Sequence, residues 1–176
     1  LSALCRFLSS EGLYVHTALR VATQGGSIRV YASKRRLGLG DGYPMLIDEH
    51  AWTLQTYHDF AQRVTKAQHQ FRSTLQKLKE AGARIAGYGA AAKGISVLNY
   101  CHIGPETLSY IVDDSPHKQG HLTPGNHIPI VVAEKLREEP VDYLLVLAWN
   151  MVAEIKAKTS GLHLKYIDPV TCQVSE

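Results

Sequence analysis

Chemistry is most concentrated in the segment Arg84-Ile85-Ala86-Gly87-Tyr88-Gly89-Ala90-Ala91-Ala92-Lys93-Gly94. A short apolar run leads into two glycines separated by Tyr88, and three alanines then open a helical pattern. Gly87 and Gly89 let the backbone turn sharply and approach a ligand with no Cβ in the way. Ala90, Ala91 and Ala92 keep the first helical turn small, so its amides stay open to an anion. Lys93 near a helix N-terminus opposes the helix dipole at a cost of about 0.3–1 kcal/mol, and a bound phosphate reverses that sign. Strand, glycine turn and helix in this order point to a phosphate-bearing ligand. The plainer alternative is a close-packed turn with Lys93 in water.

Three further groups are candidates. Asp113, 24 residues after Gly89, closes the next strand, where an acidic residue can hold a ribose hydroxyl. Aspartate there also starts turns and caps, and both readings stand. The loop from His117 to His127 (HKQGHLTPGNH) holds three histidines and one lysine. It lacks the short fixed ligand spacing and the cysteine or carboxylate help of a zinc site. No metal is expected, and His117, Lys118 and Gln119 are read as ligand contacts over the sheet edge. Trp149-Asn150 follows the most apolar strand, where ligands of open α/β sheets bind. Trp149 can stack on a base or sugar while Asn150 reads polar edges; alternatively Trp149 packs beneath the next helix and Asn150 caps it. No Ser-His-Asp order or pair of catalytic carboxylates emerges, so no catalytic residue is assigned.

These residues need a scaffold, and the alternation after Gly82 supplies one. Strands are predicted at 85–88, 108–112, 128–131, 143–148 and 164–167, with helices at 90–100, 132–138 and 151–159 between them. Strand 143–148 is almost wholly apolar, as expected of a strand covered on both faces. The pattern predicts an α/β doubly wound parallel sheet with helices on both faces. Before it, apolar residues Leu54, Tyr57, Ala61, Val64, Phe71, Leu75 and Leu78 recur at helical spacing over about Ala51–Ala81,. One helix of about 30 residues would span ~45 Å, more than a small sheet covers, so its first half is expected to pack elsewhere. A break into two helices near Thr65 is the other possibility. Residues 33–48, with Gly38, Gly40, Gly42 and Pro44, read as a linker. The first part reads as helix (1–8), strand (13–19), a turn at Gln24-Gly25-Gly26 and strand (27–32), too little for a core of its own.

Composition narrows the classes. Apolar residues are 45% and charged residues 20% of the 176, with a net charge of +3, ordinary for a globular chain. The one dense basic run, Lys34-Arg35-Arg36, has no aromatic interleaving, which argues against nucleic acid. No apolar run approaches the ~18–20 residues that cross a bilayer. Cys5, Cys101 and Cys172 are odd in number and widely spaced, which suits free thiols in a reducing cytoplasm. The start at Leu1-Ser2-Ala3-Leu4, inside an apolar segment, suggests a fragment.

Several blocks together resemble a known family. GYGAAAKG (87–94), LNYCHIGPE (98–106), DDSPHKQGHLTPGNHIP (113–129) and LAWN (147–150) are similar to the C-terminal domain of bacterial SAM-dependent sugar C-methyltransferases. GGSIRVYA (25–32) resembles the last strand of their central SAM-binding domain. The resemblance implies that residues 1–48 are the tail of that methyltransferase domain plus a linker. Residues 49–176 would then be the C-terminal Rossmann-like domain that binds a nucleotide-linked keto-deoxysugar. It also implies S-adenosylmethionine on the central domain and zinc on an N-terminal domain, both outside this chain, and neither cofactor within it. The family's Glu-His base region lies upstream of the segment matching Leu1, so the fragment alone is expected to be inactive. The substrate contacts expected are Gly87, Tyr88, Gly89, Ala90, Ala91 and Lys93, with Asp113, His117, Lys118, Gln119, Trp149 and Asn150 around them. The competing reading is a free-standing NAD- or CoA-type nucleotide-binding module; a SAM site in the glycine turn is disfavoured, because no acidic residue precedes the glycines.

Overall fold

The computed structural model describes residues 1–23, 26–37 and 53–175. The chain divides into two compact units, Leu1–His58 and Asp59–Glu176. Most of the linker expected at 33–48, and most of the turn expected at 24–26, lie outside the described residues.

The first unit contains helix α1 (Ser2–Ser10) and an antiparallel pair, β1 (Tyr14–Val21) with β2 (Ser27–Ser33). Gly12, at φ +71°, makes the turn from α1 into β1, a conformation that costs any residue with a Cβ about 1–2 kcal/mol. Among the described residues of this unit only Ala18 is buried. One helix and two strands shield little apolar surface, as their length requires.

The second unit is mixed α/β, built on a six-stranded, mostly parallel sheet. Its strands are β3 (Ile85–Tyr88), β4 (Ile111–Val112), β5 (Ile130–Val131), β6 (Tyr143–Val146), β7 (Lys165–Ile167) and β8 (Val174–Ser175). They lie in the order β5-β4-β3-β6-β7-β8, with β8 antiparallel to β7 and every other pairing parallel. The order reverses between β3 and β6. The antiparallel β8, two residues long, was not expected from the sequence.

Period-two alternation decides what each face buries. Ile85, Leu145, Leu147 and Ile167 face one core with Phe71 and Leu75 of α2 (Leu54–Glu80) and Ile95 and Leu98 of α3 (Ala92–Tyr100). Ala86, Tyr88, Val112, Leu144 and Val146 face the other, with Leu136 of α4 (Lys135–Glu138) and Ile155 of α5 (Val152–Thr159). The central strands are thus covered on both sides.

Helix α2 is a single unbroken helix of 27 residues. Only Phe71 and Leu75 of it are buried, while Leu54, Tyr57 and Phe60 are exposed. Gly82, at φ +82°, ends it: the Gly82 amide donates to the Lys79 carbonyl and the Ala83 amide to that of Leu78. That is the bonding of a left-handed glycine cap.

Candidate functional site

Beyond Tyr88 the backbone turns at Gly89, whose φ is +89°. A Cβ there would lie 2.6 Å from the Ala148 Cβ, and one on Gly87 would lie 2.9 Å from Ile111 Cγ1. Both glycines are required by close approach of β3 to its neighbours. Their amides are already used: Gly87 donates to the Tyr110 carbonyl (2.9 Å) and Gly89 to that of Val112 (2.7 Å). The Ala91 amide donates to the Gly89 carbonyl (2.7 Å) and the Ala90 amide to Asp113 Oδ2 (2.7 Å). Helix α3 therefore starts at Ala92, two residues later than the alanine run suggests.

The first intrahelical bond of α3 comes from Ile95 to Ala91. The amides of Ala92, Lys93 and Gly94 precede it and have no intrahelical partner. No side chain caps this end and no acidic residue stands in its first turn. Lys93 is exposed.

Asp113 is buried at the end of β4. Besides Ala90, it accepts from the Ser115 amide on Oδ1 (2.9 Å) and from Lys118 Nζ on Oδ2 (3.0 Å). Lys118 Nζ also donates to the Ala90 carbonyl (3.0 Å), and Gln119 Nε2 to the Asp113 carbonyl (2.8 Å). One carboxylate thus fastens the glycine turn to the loop carrying the basic residues. Three donors of the chain occupy its oxygens and organise the turn.

Between α3 and this loop runs an open cleft of about 630 Å³. Ala92, Ile95, Ser96 and Asn99 form one wall, and His117, Lys118, His121 and Pro124 are among the residues opposite. Asn99 Nδ2 donates to the Pro124 carbonyl (3.0 Å), Asn126 Nδ2 to that of Ile103 (2.7 Å), and the Ile128 amide to the buried Thr123 Oγ1 (2.9 Å). These bonds hold the loop on helix and sheet.

The residues singled out in the sequence are placed unevenly. Ala90, His117 and Lys118 line the cleft, whereas Lys93 does not. Tyr88 is buried on the opposite face, and its hydroxyl donates to Asp114 Oδ1 (2.8 Å). Burial, and then the carboxylate beside it, push its phenol well above the usual range. Trp149 and Asn150 begin a 3₁₀ turn (Trp149–Met151) after β6, half-buried and exposed respectively, outside the cleft. Asn150 is not a cap: no side chain caps either this turn or α5. Ile95, Ser96 and Asn99 were missed, although with Ala92 their i, i+3, i+4, i+7 spacing marks one helix face. His121 was passed over as part of a polar loop.

Among the described residues no group of three or more His, Cys, Asp or Glu side chains converges as a metal site. Nor is any described helix long and apolar enough to cross a membrane.

Comparison with known proteins bears on this arrangement. The family model described as C-methyltransferase C-terminal domain matches residues 22–167, more than half of the chain. The chain is also 33% identical over 164 residues to the C-methyltransferase NovU of Streptomyces niveus. That alignment takes in 88% of this chain and 38% of the relative, so the chain spans well under half of the relative's length. The match runs through the glycine turn, the cleft and its loop, and on this evidence the chain belongs to the family of C-methyltransferase C-terminal domains.

Proposed function

We propose that this chain is the substrate-binding part of a SAM-dependent C-methyltransferase and holds a nucleotide-linked keto-deoxysugar in the cleft beside α3. The observation that carries the reading is the uncapped N-terminus of α3 opening next to a cleft that contains Lys118, His117 and His121. Free amides at a helix start and a nearby ammonium suit a diphosphate. Ile95, Leu122 and Pro124 offer apolar surface for a base or sugar face,. Lys93 borders the phosphate from the helix, and Trp149 with Asn150 borders the ligand beyond the cleft. On this reading residues 49–176 form a Rossmann-like domain, and residues 1–48 are the tail of the methyltransferase domain before it plus a linker.

The turn does not fit SAM. Arg84 rather than an acid stands just before β3, and the Asp113 carboxylate is engaged by Ala90, Ser115 and Lys118. SAM, which supplies the methyl group, and the base that removes a proton beside the keto group are therefore assigned to other parts of the enzyme. Zinc is likewise assigned outside this chain. The contribution of these residues is to bind and orient the sugar. The same engagement of Asp113 weighs against a free-standing NAD-type module, which needs an acid for the ribose.

Calorimetric titration of the chain with a nucleoside-diphosphate sugar, NAD and SAM tests the reading. Uptake of the sugar nucleotide alone is expected, with affinity about tenfold lower in Lys93→Ala, roughly one charge-assisted contact. Uptake of NAD or SAM in preference, or of none of the three, contradicts it.

A further inference from the structure

Asp113 and Asp114 are consecutive, and their side chains serve opposite sides of the sheet edge. Asp113 reaches Ala90 and Lys118 on the cleft side. Asp114 reaches the other way: Oδ1 accepts from the Tyr88 hydroxyl (2.8 Å) and Oδ2 from Lys158 Nζ of α5 (2.8 Å). Lys158 also lies 2.8 Å from Glu154 Oε1, one helical turn back. The Tyr88 ring is fixed in the core with Ala86, Val112 and Val146, so its hydroxyl is a rigid anchor.

An ion pair as exposed as Lys158–Asp114, at 44% and 48%, adds little stability by itself. Its effect is on position. A carboxylate held from one side by a buried phenol and from the other by a helix-borne ammonium has little freedom. Asp114 lies four positions before Lys118 in the chain, so fixing its backbone fixes the start of the basic loop. The Lys158 ammonium is stabilised by the two carboxylates, Asp114 first and then Glu154, which raises its pKa above the usual lysine range.

We propose that Tyr88, Asp114 and Lys158 form a positioning lock that sets the loop Asp113–Gln119 so that Lys118 and His117 face the ligand in the cleft. This rests on the cleft being the substrate site, and it gives Tyr88 a role other than touching substrate. Lys158 and Asp114 line no part of the cleft; they act through the loop.

The test pairs two measurements on the whole chain. Hydrogen exchange is followed at the Lys118, Gln119 and Gly120 amides, which donate to Ser115, Ser115 and Ile130, and calorimetry follows uptake of pyrophosphate. Lys158→Met is expected to speed exchange at these amides several-fold and weaken pyrophosphate several-fold, with amides of Ala86 and Leu145 unchanged. Lys158→Arg is expected to keep both near wild type, and Tyr88→Phe to repeat the loosening. Unchanged exchange in Lys158→Met overturns the lock. Faster exchange with unchanged pyrophosphate affinity also overturns it, because the pair would then be merely structural. A wild-type chain that takes up no pyrophosphate overturns the substrate-site reading, and this inference with it, whatever the exchange shows.

Discussion

The Asp113 carboxylate accepts from Ala90, Ser115 and Lys118, so its loss would leave the buried Ala90 amide without its acceptor, while Lys118 Nζ keeps its bond to the Ala90 carbonyl. Asp113→Ala is expected to lower stability by about 1–3 kcal/mol, the cost of leaving a buried donor unsatisfied; Asp113→Asn should cost less, since the amide oxygen still accepts. Urea denaturation of both variants checks the order. Asp114 supplies a pH signature. Lys158, and then Tyr88, hold its carboxyl below the ordinary value of 3.8. A depressed folded-state pKa contributes stability above the ordinary value, and the contribution disappears as pH falls through the folded-state value. The stability gap between wild type and Asp114→Asn should therefore be constant near neutrality and close as pH drops below 3.8; a gap that widens with acid would contradict the assignment. At this scale the sequence revealed which residues mattered better than what they touched. The glycines were legible because only glycine fits φ +89° against Ala148. That Tyr88 points away from the cleft was not, since nothing in GYG fixes which core receives the ring.

Helix α2 runs unbroken, and of its apolar stripe only the second half packs on the sheet, as its length leads one to expect. Its stripe recurs from Leu54 to Leu78, yet only Phe71 and Leu75 are buried and Leu54 is 73% exposed. Phe71→Ala is expected to cost about 3–5 kcal/mol and Leu75→Ala about 2–5 kcal/mol, while Leu54→Ala should stay within about 0.5 kcal/mol. Thermal unfolding of the three variants separates them; a large loss in Leu54→Ala would show that the exposed half is covered in solution. The strand at Ile85–Tyr88 agrees with its sequence reading, because an apolar run between Arg84 and Gly89 has few other uses. The helix expected at 132–138 shrinks to Lys135–Glu138, and the strand expected at 108–112 pairs only at Ile111–Val112. These edges depend on the loop bonds around them, which local propensity does not encode. β8 escaped because two residues carry no periodicity.

Over the whole molecule, the family match at 22–167 includes residues of both compact units. The six-stranded sheet and both of its cores lie within Asp59–Glu176, and the strand order was legible only as a class. Alternating strands and helices imply a parallel sheet, but the place where the order reverses, between β3 and β6, depends on how long-range segments pair. The cleft likewise arises from two segments, 92–99 and 117–124, whose separation in sequence hides that they face one another. The proposed function makes one claim of the molecule, that this cleft, with the start of α3, receives a phosphate-bearing ligand. Amide NMR of the chain during titration with a nucleoside diphosphate tests it most directly. The shifts of Ala92, Lys93, Gly94 and Lys118 should move together and saturate on one curve. Movement confined to the separate basic hollow at Lys156, His163 and Lys165, or none, would contradict the claim.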